Sequence, residues 1–196
     1  MSLGEQFQSI LPAAQRGAGW ALEALYRAMA PAVVGYLRLQ GAEDPEDLAN
    51  EVFLGAFRGL AGFTGGEEQL RSWVFSIAHR RIIDERRRRA RRVSVVPIDD
   101  AGAGAGAGAA YRSTGPGVED QALGTVEEER LRRVCESLAP DQRDVVLLRL
   151  LGDLSVEQTA AALGKRPGAV KALQQRGLEA LRRLLVEEIS AEGVSG

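Results

Sequence analysis

The stretch that decides the fold covers residues 154–185 and has the sequence LSVEQTAAALGKRPGAVKALQQRGLEALRRLL. Ser155, followed three residues later by Gln158, predicts a capping box at the start of one helix. Gly164 predicts the end of that helix, because glycine adopts the left-handed backbone of a helix C-terminus without steric cost. Pro167 predicts the start of a second helix, since its missing N–H is not needed in the first turn. The stretch therefore predicts a helix-turn-helix.

The second of these helices has two chemically different faces. One face is apolar at the helical period and collects Val170, Leu173, Gly177, Leu178, Leu181, Leu184 and Leu185. The opposite face is polar and mainly cationic, with Lys171, Ala172, Gln175, Arg176, Glu179, Arg182 and Arg183. Such a helix suits the major groove of DNA. From this pattern alone, an amphipathic helical hairpin with a solvated face stays open as the alternative.

The composition favours an all-α protein of one domain or two small ones. Of 196 residues, 45% are hydrophobic and 5% aromatic, and no segment shows the alternation of strands. A single cysteine, Cys135, rules out an internal disulfide and favours a reducing compartment, where we expect it to act as a small core residue. No apolar run reaches the length of a membrane span, and the first residues lack a secretory signal. We therefore expect a cytoplasmic protein.

Four helices are predicted before the chain loses its periodicity. Residues 5–16 form a short helix interrupted by Pro12, and a long helical segment follows that is either continuous or divided at Pro31. Asp44 or Asp47 caps the next helix, and the basic helix after the loop at 63–68 ends in arginines.

A Gly/Ala-rich segment divides the chain. It includes AGAGAGAGAA and has the composition of a flexible linker. We predict two helical domains at residues 1–95 and 126–186, joined by a flexible linker at 96–125 and followed by an acidic, frayed tail at 187–196.

Charge is strongly segregated although the net charge is only −2. Arginines dominate residues 80–92, whereas residues 43–68 are acidic. This asymmetry indicates two partners of opposite charge, or one partner with two faces.

Residues for catalysis are not recognisable in the sequence. The one histidine, His79, and the one cysteine, Cys135, fall in different predicted domains, so no zinc-type cluster is formed. No phosphate loop with its lysine and no nucleophile elbow occurs. We therefore predict no catalytic residue, no metal site and no cofactor, and a nuclease is disfavoured for the same reason.

Two blocks of the sequence resemble a known family. Residues 22–92 contain LEALYRAMAPAVVGYLRL, DPEDLANEVFLGAFRGL and LRSWVFSIAHRRIIDERRRR, and they resemble the promoter-melting domain of extracytoplasmic-function (ECF) sigma factors of bacterial RNA polymerase. Residues 137–185 resemble the second DNA-binding domain of the same family. Two blocks in the right order make this resemblance far more specific than a lone helix-turn-helix.

The resemblance implies three sets of contact residues. Core polymerase would bind the acidic helix at Asp47, Asn50, Glu51 and Phe53. The −10 promoter element would be read as an extruded single strand and held at Phe63, Thr64, Arg71, Ser76, His79, Arg80, Arg81, Arg88 and Arg89. The −35 element would be read by Lys171, Ala172, Gln175 and Arg176, with Arg149 on the phosphate backbone. Trp73 is expected in the core rather than as a stacking platform.

The sequence therefore predicts an all-α sigma factor that binds core RNA polymerase, recognises −35 and −10 promoter elements and promotes melting. The resemblance also allows an anti-sigma factor as a further partner. The alternative is a free-standing helix-turn-helix regulator whose first domain senses a ligand or dimerises. Association with core polymerase distinguishes the two.

Overall fold

The computed structural model describes residues 3–95 and 129–192, in which every regular element is a helix. The N-terminal unit has α1 to α4 and the C-terminal unit α5 to α8, so the predicted all-α class is confirmed. The predicted linker at 96–125 lies outside the described residues. The helices are α1 (Phe7–Gln15), α2 (Gly19–Leu39), α3 (Pro45–Gly59), α4 (Glu67–Val95), α5 (129–136), α6 (Pro140–Leu150), α7 (Val156–Leu163) and α8 (Pro167–Glu192), with 3-10 turns at Gly4–Gln6 and Leu60–Gly62.

The capping signals of the helix-turn-helix are confirmed in detail. The Ser155 side chain accepts a hydrogen bond from the Gln158 N–H at 3.1 Å, and the Gln158 side chain accepts one from the Ser155 N–H at 2.7 Å. Gly164 ends α7 with φ of 63°, and Pro167 begins α8. Elsewhere Asp44, rather than Asp47, caps α3, because its carboxylate accepts the Asp47 N–H at 2.8 Å.

Two prolines lie inside helices without ending them. The interruption expected at Pro12 is wrong, because α1 continues to Gln15 and is followed by Gly17, which has φ of 82°. There the Ala18 N–H closes a 3.0 Å bond to the carbonyl of Ala13, which is the pattern of a Schellman motif. The second proline, Pro31, lies within a continuous α2.

The core of the N-terminal unit forms where α2, α3 and α4 pack side by side. Fully buried side chains come from all three helices, among them Leu25 and Val33 from α2, Val52 from α3, and Leu70 and Ile82 from α4. The shorter α1 packs against α2 and against the 3-10 turn Leu60–Gly62. This arrangement places α1 directly beside the turn that precedes α4.

The core of the C-terminal unit joins α6, α7 and α8 through Val145, Ala160 and Val170. Gly177 lies where α8 crosses α6, and a Cβ there would lie 2.6 Å from Cγ2 of Val146. Leu178 is 36% exposed, so its predicted place on the buried face is wrong. The close crossing at Gly177 explains the difference, since the next residue is turned by about 100° away from α6.

The two units pack against each other along α4 and the end of α2. The interdomain interface, as we call it, has an apolar part in which Phe75 of α4 lies beside Gly152 and belongs to the same buried cluster as Leu154. It also has a polar part, where the Gln40 amide donates to the Asp144 carboxylate at 2.9 Å. Both residues of this pair are buried, at 1% and 7% exposure.

The end of α8 extends past the predicted domain boundary at residue 186. The predicted acidic tail at 187–196 is described only as far as Glu192, and its backbone is helical up to that residue.

Candidate polymerase and promoter interfaces

The acidic face predicted for polymerase lies on the outer side of α3. Asp47 and Asn50 are exposed and Glu51 is half-buried, one turn from Asp47 on the same face. Asn50 accepts a hydrogen bond from the Tyr26 hydroxyl at 3.3 Å. Leu54 continues this face and is 56% exposed, an unusual environment for a large apolar side chain. The sequence had not singled out Leu54, although its place one turn after Asn50 was available as a signal.

Phe53, which is also predicted to contact polymerase, lies beneath this surface and is not presented on it. The side chain is 2% exposed and lies in the core between α2 and α3. Its ring contacts Tyr26 at a centroid distance of 4.8 Å and Phe57 at 5.8 Å. Phe53 therefore supports the acidic face from beneath, because the aromatic cluster occupies the side of α3 opposite to solvent.

The turn before α4 places Thr64 in solvent and Phe63 against the helix. The Phe63 ring stacks on Trp73 at 5.4 Å with an interplanar angle of 22°. Trp73 is half-buried and packs against the core. Gly65 has φ of 148°, and a Cβ there would lie only 2.9 Å from Cβ of Gln69 and 3.1 Å from the Phe63 ring. The turn is therefore closely packed, and its Thr64 side chain is exposed to solvent.

Residues predicted to read the −10 element lie on different sides of α4. Arg71 and His79 face the C-terminal unit, whereas Arg80 is exposed and donates to the carbonyl of Ser76 at 3.2 Å. Arg81 faces α3 and forms an ion pair with Glu51 at 3.2 Å. The Ser76 hydroxyl donates to the Ser72 carbonyl at 2.7 Å. Of these predicted residues, Arg71 and His79 therefore share the side of α4 that faces the C-terminal unit, whereas Arg80 and Arg81 lie on other sides.

His79 takes part in a buried polar network at the interdomain interface. Its Nδ1 lies 3.0 Å from the Tyr36 hydroxyl, which is 3.3 Å from the Gln40 amide nitrogen. Burial lowers the pKa of His79 below its ordinary value, and the nearby Asp144 carboxylate acts in the opposite direction. Burial also raises the pKa of Tyr36, so its hydroxyl stays protonated. Arg86 adds hydrogen bonds to both oxygens of Gln40.

The basic end of α4 divides into bound and exposed arginines. Arg86 lies against Gln40, and Arg89 donates to the carbonyl of Gly41 at 3.4 Å. Arg88 is exposed. Of the two arginines predicted here for the −10 element, Arg88 is therefore exposed and Arg89 is half-buried.

On α8, Lys171, Gln175 and Arg176 are exposed, as predicted for the polar face of this helix. Ala172 is half-buried, and the Gln175 amide donates to the Glu179 carboxylate at 3.1 Å. These side chains follow one another along the side of α8 turned away from Val170 and Gly177, both of which are buried.

Arg149 is half-buried, although a phosphate contact was predicted for it. Its guanidinium donates to the Gln174 side chain at 3.2 Å and to the carbonyl of Leu154. Arg71 lies nearby in an ion pair with Asp153 at 3.1 Å and a second with Glu67 at 3.3 Å. Both arginines line a polar cleft of about 720 Å³ between the two units. Two residues predicted for different promoter elements thus share one cleft.

Residues 3–95 and 129–192 contain no group of three or more histidine, cysteine or acidic side chains able to hold a metal ion. In the same residues, no helix combines the length and apolar character needed to cross a lipid bilayer.

Comparison with known protein families agrees with this two-unit architecture. The model of Sigma-70 region 2 matches residues 25–92, which run from within α2 to near the end of α4. The model of Sigma-70 region 4 matches residues 128–181, which include the helix-turn-helix. The acidic face, the turn before α4 and the exposed face of α8 all fall inside these ranges.

Proteins of known identity are similar to this chain over most of its length. The ECF RNA polymerase sigma factor BldN of Streptomyces coelicolor is 31% identical over 93% of this chain and 67% of its own. Among solved structures, CnrH in complex with the cytosolic domain of CnrY has a TM-score of 0.66 at 20% identity, covering 93% of this chain and 99% of CnrH. RpoE of Bartonella quintana, solved with the anti-sigma factor NepR, has a TM-score of 0.61 at 22% identity, covering 83% and 95%. The chain therefore belongs to the ECF sigma factors of the sigma-70 family, and the predicted recognition is confirmed.

Proposed function

We propose that three surfaces of this sigma factor each bind a different partner or promoter element. As a member of its family, the chain binds core RNA polymerase, recognises −35 and −10 promoter elements and promotes promoter melting. In our proposal α3 docks on polymerase, the turn at 63–66 with α4 holds the −10 strand, and α8 reads the −35 element. The chain contributes binding and positioning, without a catalytic group of its own, and works in the cytoplasm beside polymerase.

The observation that carries the polymerase assignment is the composition of the α3 surface. Asp47 and Glu51 offer two carboxylates one helical turn apart, and the exposed Leu54 adds an apolar centre beside them. Charged groups around an apolar anchor are the usual plan of a protein interface. A basic partner helix would satisfy both carboxylates and cover the leucine at once.

The −10 assignment places different residues in different roles. Thr64 presents a hydroxyl from a fixed turn, so it suits contact with an extruded base. Arg80 and Arg88 are exposed and suit contact with phosphates. Arg71 and His79 face the C-terminal unit, so their participation requires that the two units separate. Promoter binding therefore includes opening of the interdomain interface.

The −35 assignment uses the exposed face of α8. Gln175 matches the two hydrogen-bonding positions of adenine in the major groove, and Lys171 matches guanine. Ala172 is half-buried, and its methyl group suits an apolar contact with the methyl group of thymine. It has no group that could form a hydrogen bond to a base. Because Glu179 holds the Gln175 amide at 3.1 Å, Gln175 would exchange this partner for the base.

An anti-sigma factor is a further partner in this proposal. RpoE of Bartonella quintana was solved with the anti-sigma factor NepR, and its fold resembles that of this chain. The cleft between the two units offers polar groups from both, including Arg71 and Arg149, to a segment that would hold them together.

The test of the proposed function reverses the charge of the α3 surface. We expect Asp47→Arg with Glu51→Arg to abolish association with core polymerase. The melting temperature should stay within a few degrees of wild type, since Asp47 is exposed and Glu51 loses only a partly exposed ion pair with Arg81. The matched control is Glu5→Arg with Glu157→Arg, which makes the same change of charge at exposed positions elsewhere. The measurement is co-purification with core polymerase, followed by run-off transcription.

Two results would contradict the proposal. Wild-type association of the α3 double variant would remove α3 from the polymerase surface. Equal loss in the control variant would mean that net charge, rather than this surface, governs binding. The free-standing regulator is not favoured, because regions 2 and 4 occur together in this chain.

A further inference from the structure

The turn before α4 is held by a helix that lies outside the matched part of the family. The match to Sigma-70 region 2 begins at residue 25, whereas α1 ends at Gln15. The Gln15 side-chain amide donates to the carbonyl of Phe63 at 2.8 Å and to that of Leu60 at 3.2 Å. One amide nitrogen therefore joins both ends of the segment that leads into the turn.

A second contact from the same part of the chain holds the other side of the turn. The backbone N–H groups of Leu3 and Gly4 donate to the two carboxylate oxygens of Glu67, at 2.8 and 3.0 Å. Glu67 is the first residue of α4 and also pairs with Arg71. The N-terminal segment thus contacts the chain just before and just after Thr64.

The body of α1 makes this support rigid. Phe7 and Ile10 are 4% and 5% exposed and lie in the core of the N-terminal unit. The Schellman motif at Gly17 fixes the end of the helix, two residues after Gln15. A half-buried glutamine on such a helix loses little further freedom when it donates to a carbonyl.

We propose that α1 and the segment before it act as a brace for the −10 turn, and that Gln15 is a positioning residue for the base held at Thr64. This inference rests on the proposed reading of the −10 strand by that turn. Gln15 does not touch the base. It fixes the carbonyls of Leu60 and Phe63, and with them the direction in which the Thr64 side chain leaves the turn. Discrimination between bases depends on such placement, because a hydrogen bond weakens steeply with misalignment.

The experiment compares three substitutions on α1 in the full chain bound to core polymerase. Gln15→Met keeps the length of the side chain but cannot donate a hydrogen bond, and Gln15→Lys restores a donor. Gln8→Met is the matched control, since Gln8 is exposed on the same helix. The measurement is the affinity of each holoenzyme for single-stranded −10 oligonucleotides that carry each of the four bases at the extruded position.

We expect Gln15→Met to reduce the preference for the best base by at least about fivefold, which is the lower end expected from the loss of two ordinary hydrogen bonds. Core polymerase affinity should be unchanged, Gln15→Lys should recover part of the preference, and Gln8→Met should behave as wild type. An unchanged preference in Gln15→Met would overturn the brace. So would an equal loss for all four bases, with or without a lower melting temperature, because that is the result of a merely structural role.

Thr64→Ala separates this inference from the function on which it rests. If Thr64→Ala relaxes the base preference and Gln15→Met does not, the turn reads the base but the brace is wrong. If Thr64→Ala leaves the preference intact while Gln15→Met changes it, the proposed reading by the turn is wrong and Gln15 acts elsewhere. If neither variant changes the preference, both proposals are overturned.

Discussion

Removing the Asp144 carboxylate should open the interdomain interface. The carboxylate accepts the Gln40 amide at 2.9 Å in a site where both side chains are almost fully buried. A hydrogen bond to a charged group contributes about 1.5–3 kcal/mol. Because Gln40 keeps a 3.3 Å contact with Tyr36, we expect the lower end, about 1.5 kcal/mol, for Asp144→Ala. That energy shifts the equilibrium between closed and open chains about tenfold toward the open form.

The positive charges near the Asp144 carboxylate also favour opening of the interface once that carboxylate is removed. Burial lowers the pKa of Arg143, and the positive charge of Arg86 acts in the same direction. Asp144 is the acid next to Arg143 in the chain, and it also bonds to the partner unit. Without its carboxylate, repulsion between Arg86 and Arg143 is less compensated, so the interface is weakened further.

The assay measures the distance between the two units in single molecules. Donor and acceptor dyes are attached to cysteines introduced at the exposed positions Arg58 and Arg182, in a Cys135→Ala background. The population of long distances should rise about tenfold in Asp144→Ala. Affinity of the free protein for a single-stranded −10 oligonucleotide should rise by up to the same factor, since opening uncovers Arg71 and His79.

The control is Asp141→Ala on the same helix. Asp141 is exposed and pairs with Lys165 inside the C-terminal unit. Its substitution therefore removes the same chemical group, a carboxylate, at a position away from the interface. An identical distance distribution in wild type and Asp144→Ala would refute the reasoning. An equal shift in Asp141→Ala would attribute the effect to damage within the unit instead.

Further predictions concern packing, DNA contact and pH. Gly152→Ala should lower the free energy of unfolding by about 1–3 kcal/mol in denaturant titration, because a Cβ would lie 2.6 Å from a backbone carbonyl, whereas Gly168→Ala meets no atom within 4 Å and serves as control. In holoenzyme binding across a salt series, Arg88→Ala should reduce the salt slope by about one unit, and Gln175→Ala should relax −35 preference with an unchanged slope. The pKa of the only histidine, His79, is lowered in the folded chain, so the unfolded chain binds more protons just below pH 6.5. The free energy of unfolding should therefore fall as pH falls below 6.5, and His79→Gln should remove that component. A steeper loss in His79→Gln would contradict this sign.

Local signals in the sequence predicted the helix ends well. Ser155, Gln158 and Gly164 act within their own turn of the chain, so their type alone determines the cap. Pro12 was misjudged because a short helix anchored by buried residues on both sides tolerates the missing hydrogen bond.

Contacts between distant residues were not visible in the sequence. Phe53 occupies an apparently outward position of the acidic helix, yet aromatic partners from α2 and α3 bury it. Gln40 and Asp144 are 104 residues apart in the sequence. Gln15 donates to a backbone carbonyl, and because every residue has one, the residue type gives no signal for this contact. The roles assigned to Asp47, Thr64 and Gln175 stay predictions until the variants are measured.

The ion pair between Glu51 and Arg81 links two surfaces that the proposed function treats separately. Glu51 belongs to the surface assigned to polymerase, Arg81 to the helix assigned to the −10 strand, and the two charges satisfy each other at 3.2 Å. A basic partner that takes over Glu51 releases the Arg81 guanidinium for a phosphate. The two binding events are then thermodynamically coupled, and by reciprocity each favours the other. Because both side chains are about 40% exposed, at 38% and 43%, this coupling amounts to less than about 1 kcal/mol, a small bias toward promoter binding after polymerase has docked.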